Sequence, residues 1–436
     1  MKGTDGAPSS TEQSSTEQSG SEQSAVNVSL DVEAATPTHS HGLRRLVVFC
    51  VVGTMLLAGV VVYGFTHTPQ WKRHGLPITV AGWAPYWQTD SALASFNANS
   101  AVFSDVSMFG YSTTGADSVQ PYPGMDPNAP LIFRRDARAA SVQFVASIVD
   151  ATKAGEMATI LADPTSRSLH VRTVVRFTVD GGFDGVDLDY ENFAFLDGKQ
   201  TWSSTRPNWI AFLGELATAL HSAGKTLTVS VPPVYDNQRT DDSGYWVYDY
   251  AAMGALVDHI RVMAYDFSTA EPGPIAPLEW VTKLVKAIKS MVPPERLVLG
   301  VPVYGYDWVV GTTGTCPVDN KPRRRNLSTK SAAELAASKS IVPAWDVTNA
   351  ERTFSYSEPA TGLDAAGAPT VCTVSRTVWY ADARAVYERA WLAERADLAG
   401  ISLWSLGSDD SSVWQAIATA RADVSEWPAS GSTPEP

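Results

Sequence analysis

The sequence predicts an α/β chain: a (β/α)8 barrel with a small α+β insertion between its seventh and eighth strands, preceded by one transmembrane helix and a disordered N-terminal tail. Three observations carry this reading. Eight short apolar runs recur along residues 76–427 with helical patterns between them, and strands that alternate with helices pair in parallel. No Gly-x-Gly-x-x-Gly run follows the first of them, which argues against a dinucleotide-binding open sheet. Ahead of them, Leu46 to Phe65 is 20 residues long and carries no charge, enough to cross a bilayer as a helix.

Taken in order, residues 1–43 are polar and low in complexity, with Ser10-Thr-Glu-Gln echoed by Ser15-Thr-Glu-Gln and Ser21-Glu-Gln. Such sequence buries too little surface to fold, so a disordered tail is expected. Residues 44–66 read as an uncleaved signal anchor, because the apolar run is long for a signal peptide and no small-x-small site follows it. Arg44 and Arg45 precede the run, and Lys72 and Arg73 follow it. The expected placement is a single-pass protein of the cell membrane, with a cytoplasmic N-terminus, residues 46–65 in the lipid bilayer and an extracellular barrel.

The strand candidates are Ile78–Trp83, Val106–Ser112, Val142–Ile148, Phe183–Glu191, Thr226–Pro232, His259–Asp266, Leu297–Tyr304 and Gly400–Leu406. Between them, Asp163 caps a helix with Pro164 in its first turn, ended by Gly181 and Gly182. Pro207 opens a second helix ending before Gly224, the stripe from Trp280 to Ile288 marks a third, and Ala381 to Leu398 a last long one. The stretch from Tyr304 to Gly400 is too long for one connection, so about 311–378 is expected to form the insertion. Cys316 and Cys372 lie in it; a disulfide between them suits an oxidising exterior, and two separate buried thiols are the alternative. Residues 428–436 read as a flexible tail.

The chain has 436 residues, a net charge of −13, and 14 Trp, 15 Tyr and 14 Phe. The acidic balance makes nucleic acid a poor partner, and the aromatic content suits both a large core and stacking on sugars.

Chemistry concentrates in Asp184-Gly-Val-Asp187-Leu-Asp189-Tyr190-Glu191. Asp187, Asp189 and Glu191 are spaced i, i+2, i+4, so on a strand they share one face. Crowded carboxyls raise one another's pKa, and a carboxylic acid poised near neutral pH is what glycosidic cleavage requires. Alternation with Phe183, Val186, Leu188 and Tyr190 argues against a solvated acidic loop. An oxygen-ligand metal site and a purely structural role are the alternatives. Asp184 has the opposite parity and reads as structural. In a barrel, catalytic groups sit at the C-terminal strand ends, which places Glu191 at the rim.

The Asp-x-x-Asp-x-Asp-x-Glu pattern on a fourth strand resembles the signature of family 18 glycoside hydrolases, the chitinase family. Met263-Ala-Tyr265-Asp266 is similar to that family's sixth-strand motif, and Gly400-Ile-Ser-Leu-Trp404 to its eighth-strand segment. Pro272–Trp280 and Leu299–Trp308 look closest to the bacterial branch of spore-cortex and cell-wall lytic enzymes. Val145-Ala-Ser-Ile-Val-Asp150 lacks the Ser-x-Gly-Gly of many chitinases, and Trp83 stands where many have Tyr. Chitin and peptidoglycan glycan strands therefore both remain as substrates.

The resemblance implies substrate-assisted retention. Glu191 would be the general acid, Asp189 would hold the acetamido N–H, and Asp187 would share a proton with Asp189. Tyr265 would orient the acetyl oxygen, Asp266, Met263 and Trp83 would contact sugar, and Trp404 would floor the subsite. Tyr86, Trp87 and Tyr111 are further candidates for the groove. No metal or cofactor is implied, and a monomer is expected. The competing function is a non-catalytic lectin on the same fold, which would be expected to lose the acid at Glu191.

Overall fold

The register of the eight apolar runs closes them into a ring. The computed structural model of the protein describes residues 77–422; the expected tails and membrane segment lie outside the described residues. The barrel strands are Thr79–Pro85 (β1), Phe103–Gly115 (β2), Gln143–Asp150 (β3), Gly185–Asp189 (β4), Thr226–Val231 (β5), His259–Val262 (β6), Leu297–Pro302 (β7) and Gly400–Trp404 (β8). Each pairs in parallel with its neighbours, and β1 pairs with both β2 and β8, so no edge is left open. A short strand, Ser118–Pro121, folds back antiparallel on β2.

Alternation sorts the side chains. Val106 and Met108, Val186 and Leu188, Leu227 and Val229, and Ile401 and Leu403 face outward into the main apolar core beneath the helices. Their alternates face the barrel axis, and there the residues are polar to an unusual degree. Asp105, Ser107, Ser147, Asp187, Ser230, Arg261 and Ser402 are all buried, where barrels of this class usually stack branched aliphatics. Buried polar groups persist only when they are paired, so this interior is a wired one.

The helices follow their expected signals with shifted ends. Asp163 caps the helix Pro164–Asp180, its carboxylate accepting from the Ser166 N–H at 2.8 Å. The helix expected to open at Pro207 begins at Trp202 and runs to Ser222; the turn ahead of the proline is held in the core by the buried Trp202 and Thr205. The last long helix is trimmed to Ala383–Arg395, and a further helix, Ser411–Arg421, closes the described chain.

The insertion is larger than the expected 311–378. It is a five-stranded antiparallel sheet whose first strand, Tyr304–Gly314, follows β7 after a single residue, and whose last, Pro369–Tyr380, leads back toward β8. The run Leu297–Tyr304 divides at Val303, whose N–H turns to the Trp404 carbonyl at 2.9 Å. Cys316 and Cys372 are joined as a disulfide.

Candidate active site

An open groove of about 590 Å³ lies over the C-terminal ends of the strands. Its lining includes Asp189, Glu191, Met263, Tyr265, Asp266, Trp83 and Trp404. Seven of the expected site residues thus meet in one place, and the eighth, Asp187, lies just beneath on β4.

β4 ends at Asp189, one residue pair earlier than the alternation suggests. Glu191 has helical dihedrals (φ −112°, ψ −19°) and precedes the short helix Asn192–Phe195. The tight strand is possible because position 185 is glycine: a Cβ there would lie 2.1 Å from Thr226 Oγ1. Asp184 faces away from the site and accepts from the Phe144 N–H at 2.9 Å, pinning β3 to β4.

Asp187 is fully buried and receives donors from four strands. Trp83 Nε1 at 2.8 Å, Ser147 Oγ at 3.0 Å and Arg261 Nη1 at 3.0 Å donate to Oδ2, and Ser230 Oγ donates to Oδ1 at 2.6 Å. Asp189, directly above, is different. Its Oδ1 is buried and meets no hydrogen-bond partner among the described residues. Burial first, then the Glu191 and Asp187 carboxyls, push its pKa well above the carboxylate range. Glu191 is pushed up to about 7, by burial first and then by the charge of Asp266. The site therefore holds a carboxylic acid that is protonated below neutral pH and faces the groove.

Asp266 sits at φ 57°, a left-handed conformation that aspartate tolerates better than most residues. Tyr304 and Tyr306, from the first insertion strand, donate their hydroxyls to its Oδ1, Tyr306 at 2.6 Å. Tyr265 lies nearly parallel to Trp404, ring centroids 6.5 Å apart. It fits there because position 300 on β7 is glycine: a Cβ would meet Tyr265 Cε1 at 2.9 Å and the Val262 carbonyl at 2.7 Å. Trp404 is half-buried and braced edge-on by Trp83 and Phe109.

Trp83 takes its expected place in the lining, and two other aromatic expectations, Tyr111 and Tyr86, are corrected. Trp83 lines the groove but is only 2% exposed; its indole N–H serves Asp187, which makes it a floor member before it is a stacking platform. Tyr111 points away from the groove and packs on Phe177 and Phe183. The cause is a register shift between Phe109 and Tyr111, which hands the inward position to Phe109. Tyr86 stacks on Tyr122 rather than lining the cavity, whereas Trp87 stands exposed beside Phe109 and Trp404. Arg261, Tyr235, Tyr245, Trp280, Tyr304 and Tyr306 went unassigned in the sequence. For Arg261 a signal existed, since it and Asp105 are opposite charges inside apolar strands.

Residues 78–409 match the sequence description of Glycosyl hydrolases family 18. The chain belongs to that family. It is 25% identical over 260 residues to the cortical fragment-lytic enzyme of Bacillus anthracis, an alignment covering 59% of this chain and 54% of that protein. The chain thus spans about half the length of that curated relative. Its fold is similar to the crystal structure of a chitinase from Chromobacterium violaceum, with TM-score 0.64 and 25% identity over 79% of this chain and 99% of that one. The spore cortex-lytic enzyme SleL of Bacillus cereus also shares the fold, with TM-score 0.64 and 20% identity over 79% and 74% of the two chains. The family 18 assignment and the likeness to the spore-cortex branch agree with the motif resemblance.

Proposed function

We propose that this protein is a membrane-anchored extracellular glycoside hydrolase that cleaves β-1,4-linked N-acetylhexosamine polymers, peptidoglycan glycan strands or chitin, with net retention. One observation carries the reading: the raised carboxyl of Glu191 and the unpartnered Asp189 Oδ1 face a groove floored by Trp404 and flanked by Tyr265. Glu191 protonates the leaving oxygen. Asp189 accepts the acetamido N–H, so the acetyl oxygen attacks C1 while the glycosidic bond breaks, giving an oxazolinium ion. Tyr265 holds the acetyl group. Water then adds at C1, Glu191 takes its proton, and the ring of the intermediate reopens. The anchor rests on the uncharged run 46–65 alone; among the described residues no helix is long and apolar enough to cross a membrane.

The test incubates the protein and its Glu191→Gln variant with purified peptidoglycan and with chitin oligosaccharides, and identifies products by mass spectrometry. Loss of a general acid should lower turnover at least about a hundredfold while sugar binding survives. Unchanged turnover in the variant would overturn the assignment. Absence of products from either polymer, with sugar still bound, would favour a lectin.

A further inference from the structure

The groove wall is acidic. Its lining includes the carboxyls of Asp189, Glu191 and Asp266 and no Lys, Arg or His. Directly behind that wall stands a cation that the mechanism above does not use. Arg324 ends the insertion's loop 317–324 and is exposed. Its guanidinium carbon lies 4.1 Å from the Tyr306 ring centre and 5.0 Å from that of Trp308. Its Nη1 donates to the Thr269 carbonyl at 2.8 Å. Thr269 lines the groove, and the Tyr306 hydroxyl donates to Asp266 at 2.6 Å. The guanidinium therefore reaches the site through Thr269 on one side and the Tyr306 ring on the other.

Neighbouring arginines are matched to carboxylates, and this one is not. Arg325 pairs with Asp307 and Glu358, and Arg376 pairs with the same two acids. Among the described residues Arg324 meets no carboxylate, and the Thr269 carbonyl is the one hydrogen-bond acceptor it reaches. The loop that carries it is fixed at both ends. The Cys316–Cys372 disulfide staples its start, and Arg376 holds the Arg323 carbonyl near its end at 3.3 Å. An arginine already held over two rings gives up little further freedom on binding. Its remaining N–H groups keep the fork that matches a carboxylate.

Ring contacts and one hydrogen bond would by themselves make Arg324 a brace for the loop over the groove. The uncancelled charge beside an acidic cavity points further. A polymer that bears carboxylates meets repulsion from such a cavity, and a fixed cation at the wall reverses the sign locally. Lys321 and Arg323, exposed on the same loop, widen the positive field.

We propose that Arg324 is a specificity-determining residue that binds a carboxylate carried by the glycan. The preferred substrate is then an N-acetylhexosamine polymer with carboxylates on lactyl ether substituents or on attached peptides, rather than neutral chitin. This inference rests on the hydrolase reading above and chooses between its two polymers.

The experiment uses the full chain and compares peptidoglycan glycan strands with the same strands after chemical amidation of their carboxyls. Steady-state release of reducing ends gives KM and kcat on each. KM should be about fivefold lower on the acidic strands, the upper end for an exposed ion pair. Arg324→Gln should bring the ratio of the two KM values to one or invert it. Arg324→Lys, which keeps the charge without the fork, should retain part of the preference. Strands stripped of peptides carry free lactyl carboxyls, and intact strands carry peptide carboxyls. The form whose amidation raises KM identifies which carboxylate is bound. A brace alone would move both KM values together, so a ratio that survives in Arg324→Gln overturns the proposal. A parent protein indifferent to amidation overturns it too, and that comparison needs no variant. Calorimetric binding of both strand forms to Glu191→Gln separates this inference from the hydrolase reading. Affinity that depends on the carboxylates, without turnover in the parent, would sink the hydrolase reading and leave the role of Arg324 standing. Turnover with equal KM on both forms would do the reverse.

Discussion

A carboxyl that must give a proton and later take one back works best with a pKa near the working pH. Glu191, raised to about 7 by burial and by Asp266, has that property. Its acid form is present below pH 7 and disappears above it, so activity should fall on an alkaline limb centred near 7. Asp266→Asn removes the second cause, and the limb should move to lower pH in rate profiles on soluble oligosaccharides. The sign for stability follows from the same shift. A glutamate raised in the folded state holds its proton in the fold and loses it in the unfolded chain between about pH 4.5 and 7, so stability falls as pH rises through that window. Glu191→Gln cannot ionise. It should melt higher than the parent at pH 8, on the order of 2 °C for each kcal/mol relieved, and the gap should shrink at pH 5. Equal gaps at both pH values in calorimetry would contradict the raised pKa.

At the scale of elements, much of the site was legible because a strand's period is two. Asp187 and Asp189 alternate with Val186 and Leu188, and that pattern alone puts the acids inside the barrel. The same reasoning failed at Tyr111, because the shift beside Gly110 leaves no trace in alternation. It also ran past the end of β4, since Glu191 keeps the spacing of a strand residue after the chain has turned helical. Gly300 was read only as part of a phrase, whereas its role is a contact with Tyr265 from another strand. Gly300→Ala should displace that ring. Misplacing a positioning group by an ångström costs up to about a hundredfold, so kcat/KM should drop by roughly tenfold or more in steady-state assays. Parent-like kinetics in that variant would show that the ring has slack.

At the scale of the whole molecule, the insertion and the barrel are held by a buried ion pair. Glu351, in the insertion, accepts from the Ile275 and Ala276 N–H groups at 2.8 and 2.6 Å, and Arg389 donates to the same carboxylate at 3.0 Å. Both side chains are essentially unexposed. Breaking such a pair from one side costs about 3–5 kcal/mol. Glu351→Ala should therefore lower the urea midpoint with little change in slope, and should raise KM by freeing the loop that carries Phe267 and Thr269 over the groove. The N-terminal segment has its own test. The full chain should sediment with membranes and need detergent for release, and a chain beginning at residue 71 should stay in the supernatant. Recovery of the full chain in carbonate washes would remove the anchor from the proposal.

The insertion is more than an appendage, because Tyr304 and Tyr306 hold Asp266 while Glu351 holds the loop after it. For protein engineering this means that the unit of exchange is discontinuous in sequence. A chimera that imports another family member's insertion should work only when residues 266–277 travel with it, and a library that shuffles the two separately should yield folded barrels with idle grooves.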